Sequence, residues 1–384
     1  MTVRDPLAAS QRWTRWNSGT DGESPEERLR AGRASSPASS RCARAATEEV
    51  PVDDATAMRA ALAASAAVLG TTSPNPPVGA VVLDAAGELV GTGATSPPGG
   101  PHAEVHALAE AGERARGGTA VVTLEPCRHT GRTGPCTQAL LAAGVARVVV
   151  ACPDPTAQAG GGAAELRAAG VEVTTGLLAD EVARGPLEAW LTAQRTGRPH
   201  VTWKYAATLD GRSAAADGTS RWITGPPARA DVHRLRAASD AVLVGVGTVL
   251  ADDPELTVRP DPGRQPLRVV LDRSGRTPGS ARVHPALVLD ATPREALAEL
   301  GSRGVVGVLL EGGPTLAGAF LRDGLVDRVV GYVAPALLGD GPPALSGAGV
   351  GTIEAAVRLR LDDVTRLGED VRLTLRPRED QGRT

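Results

Sequence analysis

The stretch from His102 to Cys136 places the strongest demand on any fold this chain adopts. It holds His102-Ala103-Glu104, then Pro126-Cys127, then Cys136. Three potential metal ligands so far apart can serve one ion only if short elements and tight connections bring them together. The surrounding sequence predicts such elements. Asp53 or Asp54 can cap a helix running through Met58 and Leu62 to Leu69, and Gly70 ends it. The rigid loop Ser73-Pro74-Asn75-Pro76-Pro77 leads to a strand over Val78 to Leu83. A hairpin near Gly87 then leads to a second strand, Leu89 to Gly93. The pattern continues with a helix over His102 to Ala111, a strand over Ala120 to Leu124, a helix over Thr137 to Ala143 and a strand over Arg147 to Ala151. Gly162 to Ala169 reads as helix, Val171 to Thr174 as strand and Ala179 to Thr196 as one helix. Alternating strands and helices argue for a layered α/β domain.

Gly197-Arg198-Pro199 is a natural junction, after which the alternation restarts. Strands are expected at His200 to Ala206, Ala241 to Val246, Leu267 to Leu271, Ala286 to Leu289, Val305 to Leu310 and Arg328 to Val333. Helices are expected at Pro227 to Ala237 and Leu316 to Leu321, with a terminal β pair between Leu361 and Leu375. The length of 384 residues suits this division. Residues 51–197 form the first domain, 198–376 the second, and 377–384 a C-terminal tail. Residues 1–50 are rich in Arg, Ser, Ala, Gly and Glu without an apolar period, so they read as a disordered tail with no chemistry assigned. Met58 is the only other methionine, which leaves a shorter product open.

Charge and composition narrow the function. A formal net charge of −3 gives no basic field, and 2% aromatic residues leave few stacking platforms, so nucleic acid is not an expected partner. The four cysteines are too sparse for a disulfide framework. Two of them sit beside His and Glu, which favours a metal site and a reducing compartment. The sequence shows no apolar run of bilayer length and no apolar signal core, so a cytoplasmic protein without membrane contact is expected.

Hydrolytic deamination needs an activated water and a proton shuttle. Zinc with three protein ligands keeps a position for water and lowers its pKa towards neutrality. A non-ligand Glu can then carry the proton to the departing ammonia. His-x-Glu followed by Pro-Cys and a second Cys is the zinc-deaminase pattern, although here the second cysteine lies nine positions after the first rather than three. His102 and Glu104 fall in one first helical turn and Cys136 opens another helix, where positive N-termini favour thiolate. A closed structural site would need a fourth ligand. His106 and His129 are the candidates, with His106 better read as a polar neighbour and His129 as facing substrate.

Ser73-Pro74-Asn75-Pro76-Pro77-Val78-Gly79-Ala80-Val81 resembles the N-P-x-V-G-A-V loop of the cytidine-deaminase-like superfamily. The run Thr123-Leu124-Glu125-Pro126-Cys127-Arg128-His129-Thr130-Gly131-Arg132-Thr133-Gly134-Pro135-Cys136 resembles the deaminase segment of the bifunctional RibD family of riboflavin biosynthesis, whose second cysteine is similarly displaced. The resemblance spans about Ala57 to Arg376. It implies a cytidine-deaminase-like αβα layered domain in which His102, Cys127 and Cys136 bind zinc and Glu104 shuttles the proton. It also implies that Asn75 holds the pyrimidine and that His129 and Arg132 lie near a phosphoribosylated diaminopyrimidine. Two departures touch local contacts: Ala94-Thr95 follows Gly91-Thr92-Gly93 where a His is frequent, and Asp154-Pro155-Thr156-Ala157 replaces D-P-N-P.

In the second half, Glu311-Gly312-Gly313-Pro314-Thr315 follows an apolar strand and opens a helix, an arrangement that suits a phosphate. Arg221, Arg236 and Arg259 could converge on one as well. The runs Lys204 to Arg212, Ser220 to Gly225 and Thr248 to Arg259 are similar to the reductase domain of the same family, which has a dihydrofolate-reductase-like α/β fold. That resemblance implies NADPH contacts from Ala206, Trp222, Thr248 and Asp252, and from a loop of Gly313, Pro314, Thr315, Leu316, Ala317, Gly318 and Ala319. It implies ribose-phosphate contacts from Ser220, Arg236, Leu256 and Arg259, with Glu311 near the sugar. Asp252 either protonates substrate or places the nicotinamide. Arg273 is either a partner for the cofactor 2′-phosphate or a solvated side chain. The family also suggests a homo-oligomer. Two rival readings are a nucleoside or tRNA-base deaminase with an accessory half, and a zinc-stabilised binding protein without turnover. The near-neutral charge, the few aromatic residues and the displaced cysteine oppose the first, and Glu104 opposes the second.

Overall fold

The computed structural model describes residues 51–130, 134–259 and 263–378. The tail expected over residues 1–50 lies outside them, as does Arg132. Asp53 caps α1 (Asp54–Ala67) by accepting the Thr56 N–H at 2.7 Å. The chain then forms the hairpin β1 (Gly79–Leu83) and β2 (Leu89–Ala94), α2 (Ala103–Ala111) and β3 (Thr119–Leu124). It continues with α3 (Cys136–Ala143), β4 (Arg147–Cys152), α4 (Gly162–Ala168) and β5 (Glu172–Thr175). The sheet order is β2-β1-β3-β4-β5, with β1 antiparallel to both neighbours and β3, β4 and β5 parallel.

Two glycines show how helices cover both faces. A Cβ on Gly79 would meet the Ala61 carbonyl of α1 at 1.9 Å, and one on Gly93 would meet the Ala103 carbonyl of α2 at 2.1 Å. Gly93 pairs with Ala80, so it shares a face with Ala80 and not with Gly79. The two helices therefore press on opposite faces, giving an αβα layering.

One expectation fails here. The helix expected over Ala179 to Thr196 is two: α5 (Ala179–Ala183) and α6 (Glu188–Thr196). Pro186 lacks an N–H and disfavours helical backbone at Gly185, so the run breaks between them.

The second sheet has eight strands in the order β12-β13-β11-β6-β10-β7-β8-β9. Its members are β6 (His200–Thr208), β7 (Ala241–Gly245), β8 (Leu267–Leu271), β9 (Leu287–Leu289), β10 (Gly307–Leu310), β11 (Arg328–Ala334), β12 (Leu359–Leu367) and β13 (Asp370–Pro377). The strands from β11 to β9 run parallel, and β13 and β12 close the other edge antiparallel. Leu243 and Leu310 enter one core with Trp203 and Phe320, whereas Val242, Val244 and Leu309 enter another with Val270. Burial on both faces explains the unbroken apolar runs. Helices α7 (Pro226–Ala237) and α10 (Pro314–Arg322) were expected. Helices α8 (Val246–Asp252) and α9 (Pro293–Ser302) were not, and α8 takes Val246 from the strand assigned to it. Pro377 belongs to β13 rather than to the tail. No helix among the described residues is long and apolar enough to cross a membrane.

Candidate active sites

Three segments end at one edge of the first sheet and assemble the ligand trio. Beyond β2 the chain reaches His102, which precedes the first residue of α2. β3 ends just before Cys127, and Cys136 is the first residue of α3. His102 Nδ1 lies 3.3 Å from Cys136 Sγ and 3.6 Å from Cys127 Sγ. Zinc bonds of about 2.0 Å to nitrogen and 2.3 Å to sulfur, at a tetrahedral angle, put N and S about 3.6 Å apart. The donor set and its spacing therefore fit zinc. Among the described residues no fourth His, Cys, Asp or Glu joins the group, which lies within 4.8 Å. His106 is engaged elsewhere, with its Nε2 2.8 Å from Ser96 Oγ.

The electrostatics favour a metal-ready state. The Cys136 thiol, the His102 ring and the Cys136 N–H all point at the Cys127 sulfur, and together they hold the Cys127 thiol well below its usual range against the effect of burial. Cys136 moves up because it donates to Cys127. His102 moves up through its hydrogen bond to Cys127. Glu104, in the first turn of α2, is 4% exposed. Burial lifts its carboxyl to about 7, against the pull of its own N–H, His102 and Cys136. A carboxyl poised there can accept and return a proton at neutral pH.

Asn75 arrives at the same edge. Its N–H donates to Thr72 O at 2.9 Å and its carbonyl accepts the Thr72 hydroxyl at 3.0 Å. Val78 N–H then donates to Thr95 Oγ1 at 3.1 Å, and Gly79 N–H to Thr123 Oγ1 at 3.0 Å. Thr95, one of the departures, thus braces the strand entrance. His129 stands between the cysteines with a buried Nδ1 that has no partner among the described residues. Sequence reasoning overlooked Glu125. Its carboxylate takes the Asp154 N–H at 3.1 Å and the Ala163 N–H at 2.9 Å, fixing the turn that delivers Cys127. An acid directly before Pro126-Cys127 was the available signal.

In the second sheet, Glu311 follows β10 with its side chain 7% exposed. Arg236 of α7 grips it at 2.6 and 3.0 Å, and Lys204 of β6 stands 3.6 Å away. Burial pushes this carboxyl up, yet the Arg236 guanidinium and the Lys204 ammonium hold it at about 2. Arg236 also donates to Thr257 O at 3.0 Å, so its fork is committed within the protein. Lys204 is the other residue sequence reasoning overlooked. It is the only lysine among 41 basic residues, and that bias was the signal.

The other expected contacts are spread around the same sheet. Thr248 Oγ1 accepts the Gly313 N–H at 3.1 Å, and Ser220 Oγ lies 3.3 Å from Asp252 Oδ1. The Arg221 guanidinium donates to the Asp252 carbonyl. Trp222 is 70% exposed under the Arg229 guanidinium, Ala206 is half-buried on β6, and Arg259 pairs with Glu255 at 3.0 Å. Leu256 is buried in the core, so any contact it makes with a sugar phosphate is through its backbone. The Gly313 to Ala319 stretch is not a loop. Gly313 caps α10, Ala317 is buried in the core, and a Cβ on Gly318 would strike the Ser346 carbonyl at 1.8 Å. A glycine run at a strand end serves tight packing as much as a ligand: the helix expected from Leu316 already begins at Pro314, so only Gly313 of the stretch lies outside it.

Comparison with known proteins agrees with both halves. Residues 51–152 match the cytidine and deoxycytidylate deaminase zinc-binding region, and residues 199–373 match the RibD C-terminal domain. The riboflavin biosynthesis protein RibD of Mycobacterium tuberculosis is 53% identical, over 83% of this chain and 96% of that protein. The Escherichia coli protein of the same name is 43% identical, over 79% of this chain and 94% of that protein. Acinetobacter baumannii RibD, form 1, superposes with a TM-score of 0.78 at 42% identity, covering 85% of this chain and 99% of that one. A Thermotoga maritima deaminase/reductase superposes at 0.79 with 36% identity, over the same shares. With a cytidine-deaminase-like domain followed by a dihydrofolate-reductase-like one, and relatives aligned over nearly their whole length, the chain belongs to the RibD family and carries its deaminase and reductase activities in riboflavin biosynthesis.

Proposed function

We propose that residues 51–197 release the 2-amino group of 2,5-diamino-6-(5-phosphoribosylamino)pyrimidin-4(3H)-one as ammonia. Residues 198–376 then reduce the ribosyl group of the resulting 5-amino-6-(5-phosphoribosylamino)uracil to a ribityl chain with NADPH. The observation that carries this reading is a buried carboxyl, Glu104, beside a two-sulfur, one-imidazole trio. The Thermotoga maritima neighbour is described as a diaminohydroxyphosphoribosylaminopyrimidine deaminase/5-amino-6-(5-phosphoribosylamino)uracil reductase, which supports the substrates.

His102, Cys127 and Cys136 would hold zinc, which when bound would supply an activated water. Glu104 receives the proton and hands one to the departing amine. Asn75 holds the pyrimidine, His129 Nδ1, without a partner among the described residues, offers it a hydrogen bond, and Arg132 is the further contact the family resemblance implies. In the reductase, NADPH supplies the hydride. The strand-to-helix turn at Gly312 and Gly313, with Thr248 beside it, is a fitting seat for a phosphate-bearing cofactor. Ala206, Trp222, Asp252, Pro314, Thr315 and Leu316 frame that seat, with Ala317 and Gly318 packed behind it. Ser220, Leu256 and Arg259 receive the ribose phosphate, with Arg236 acting through Glu311.

Lys204 contributes a compact ammonium that can position the opened sugar and deliver a proton, which a guanidinium cannot give up. Lys204→Arg is expected to leave ammonia release intact and to cut NADPH oxidation about a hundredfold. Unchanged NADPH oxidation in steady-state assays removes that role. Cys152, without a disulfide among the described residues, and the proposed zinc thiolates Cys127 and Cys136 suit a reducing cytoplasm. Leu361 and Val364, exposed on the edge strand β12, suit a homo-oligomer. The deciding experiment supplies the diaminopyrimidine and NADPH and follows ammonia and NADPH separately. Ammonia release that disappears with a zinc chelator, followed by NADPH oxidation, is the expected result. Failure to release ammonia from this substrate overturns the reading.

A further inference from the structure

The chain segment that leaves α7 touches both domains. At Arg236 it clamps Glu311 at the end of β10 in the reductase domain. One residue later, the Ala237 carbonyl oxygen lies 2.1 Å from where a Cβ on Gly70 would stand, and Gly70 has φ +75°, so only glycine lets the deaminase chain pass there. At Asp240 the segment receives the Ser73 hydroxyl, with Ser73 Oγ donating to Asp240 Oδ2 at 2.8 Å. Pro74 continues the contact against Gly304.

Asp240 is 6% exposed and stands just before β7. The oxygen that accepts Ser73 also accepts the Val306 N–H at 2.8 Å and the Gly307 N–H at 3.0 Å, while Oδ1 accepts Arg264 Nη1 at 3.3 Å. Three of its four donors come from the reductase domain and hold the carboxylate still. The fourth comes from the deaminase loop. Two residues beyond Ser73 is Asn75, whose backbone is locked to Thr72 on the other side of the anchored serine. The loop is thus tied at one end to the sheet edge that bears the zinc ligands and at the other to the reductase.

We propose that Asp240, a residue of the reductase domain, is a positioning residue for deamination that acts through Ser73 to hold the Asn75 loop in its pyrimidine-binding conformation. The proposal rests on the reading of Asn75 as a pyrimidine contact. Without the Ser73 hydroxyl the loop is competent for only a fraction of the time, and apparent affinity falls by that fraction while chemistry in the bound state is preserved. Hydrogen bonds to charged acceptors are the strong ones, so the fraction is small.

The test uses the full-length, zinc-loaded enzyme. Ser73→Ala is expected to raise the KM for ammonia release about tenfold, equivalent to about 1.4 kcal/mol. The kcat for deamination stays within about twofold, and NADPH oxidation on the deaminated substrate is unchanged. Ser73→Thr, which keeps the hydroxyl, restores KM. Combining Ser73→Ala with Asp240→Asn raises KM no further than the larger single effect, because both remove the same bond. Asn75→Ala is measured alongside. A raised KM for Asn75→Ala with an unchanged KM for Ser73→Ala overturns the proposal and leaves the Asn75 reading standing. An unchanged KM for Asn75→Ala overturns that reading and the proposal with it. Parallel loss of both activities in Ser73→Ala also overturns the proposal, since it marks general disruption rather than loop positioning.

Discussion

Glu104→Gln is expected to keep its zinc and lose ammonia release by about a hundred- to ten-thousandfold, the range attributed to a positioned general acid–base. The substitution preserves size and burial, so the trio of His102, Cys127 and Cys136 has no reason to rearrange. What changes is that a carboxyl held at about 7 by burial becomes an amide that cannot carry a proton. Metal analysis of the purified variant should still give one zinc per chain, and NADPH oxidation on the deaminated substrate should match the parent enzyme. Deamination at the parental rate would remove Glu104 from the mechanism, and loss of zinc would assign it to the metal site instead.

Arg236→Ala is expected to have the largest effect on stability. It takes the bidentate partner from a buried carboxylate and leaves Lys204, 3.6 Å away, as the only counter-charge shown near Glu311. Removing one member of a buried pair costs about 3–5 kcal/mol, because the other charge stays behind. The pH dependence provides a second reading. Glu311 sits at about 2 in the folded protein, below its ordinary value of 4.5. The stabilisation from this ionised group is therefore complete above about pH 4.5 and is lost as pH falls through 4.5 towards 2. In Arg236→Ala the carboxyl rises, so this contribution shrinks at neutral pH and the acid slope flattens. Unfolding midpoints measured from pH 7 down to pH 3 check both. Parallel curves for the two proteins would show that Arg236 does not hold Glu311 down.

The candidate metal site was legible because each proposed ligand is marked locally. His102 and Glu104 open a helix, Cys127 follows a strand and a proline, and Cys136 begins the next helix. Some of what was missed was also written locally. Thr292-Pro293-Arg294-Glu295 spells a complete capping box for α9, and Gly185-Pro186 announces the break between α5 and α6. Helix α8 was harder, since Val246-Gly247-Thr248-Val249 has the composition of a strand and only the packing makes it helical. The contacts between distant segments left no such trace. Ser73 and Asp240 are separated by 167 positions. Glu311 meets Arg236 across 75 positions, so a lone arginine on α7 read as a phosphate ligand when its fork was already occupied.

The solitary lysine has a practical consequence. Reagents that acylate or reductively methylate amines have, apart from the chain's N-terminus, one target in this protein, and it lies beside Glu311 in the reductase half. An isotopic methyl label on Lys204 would report on the surroundings of Glu311. Its rate of attachment would show when Lys204 is shielded from solvent, with no engineered tag and with the N-terminal amine as the other signal.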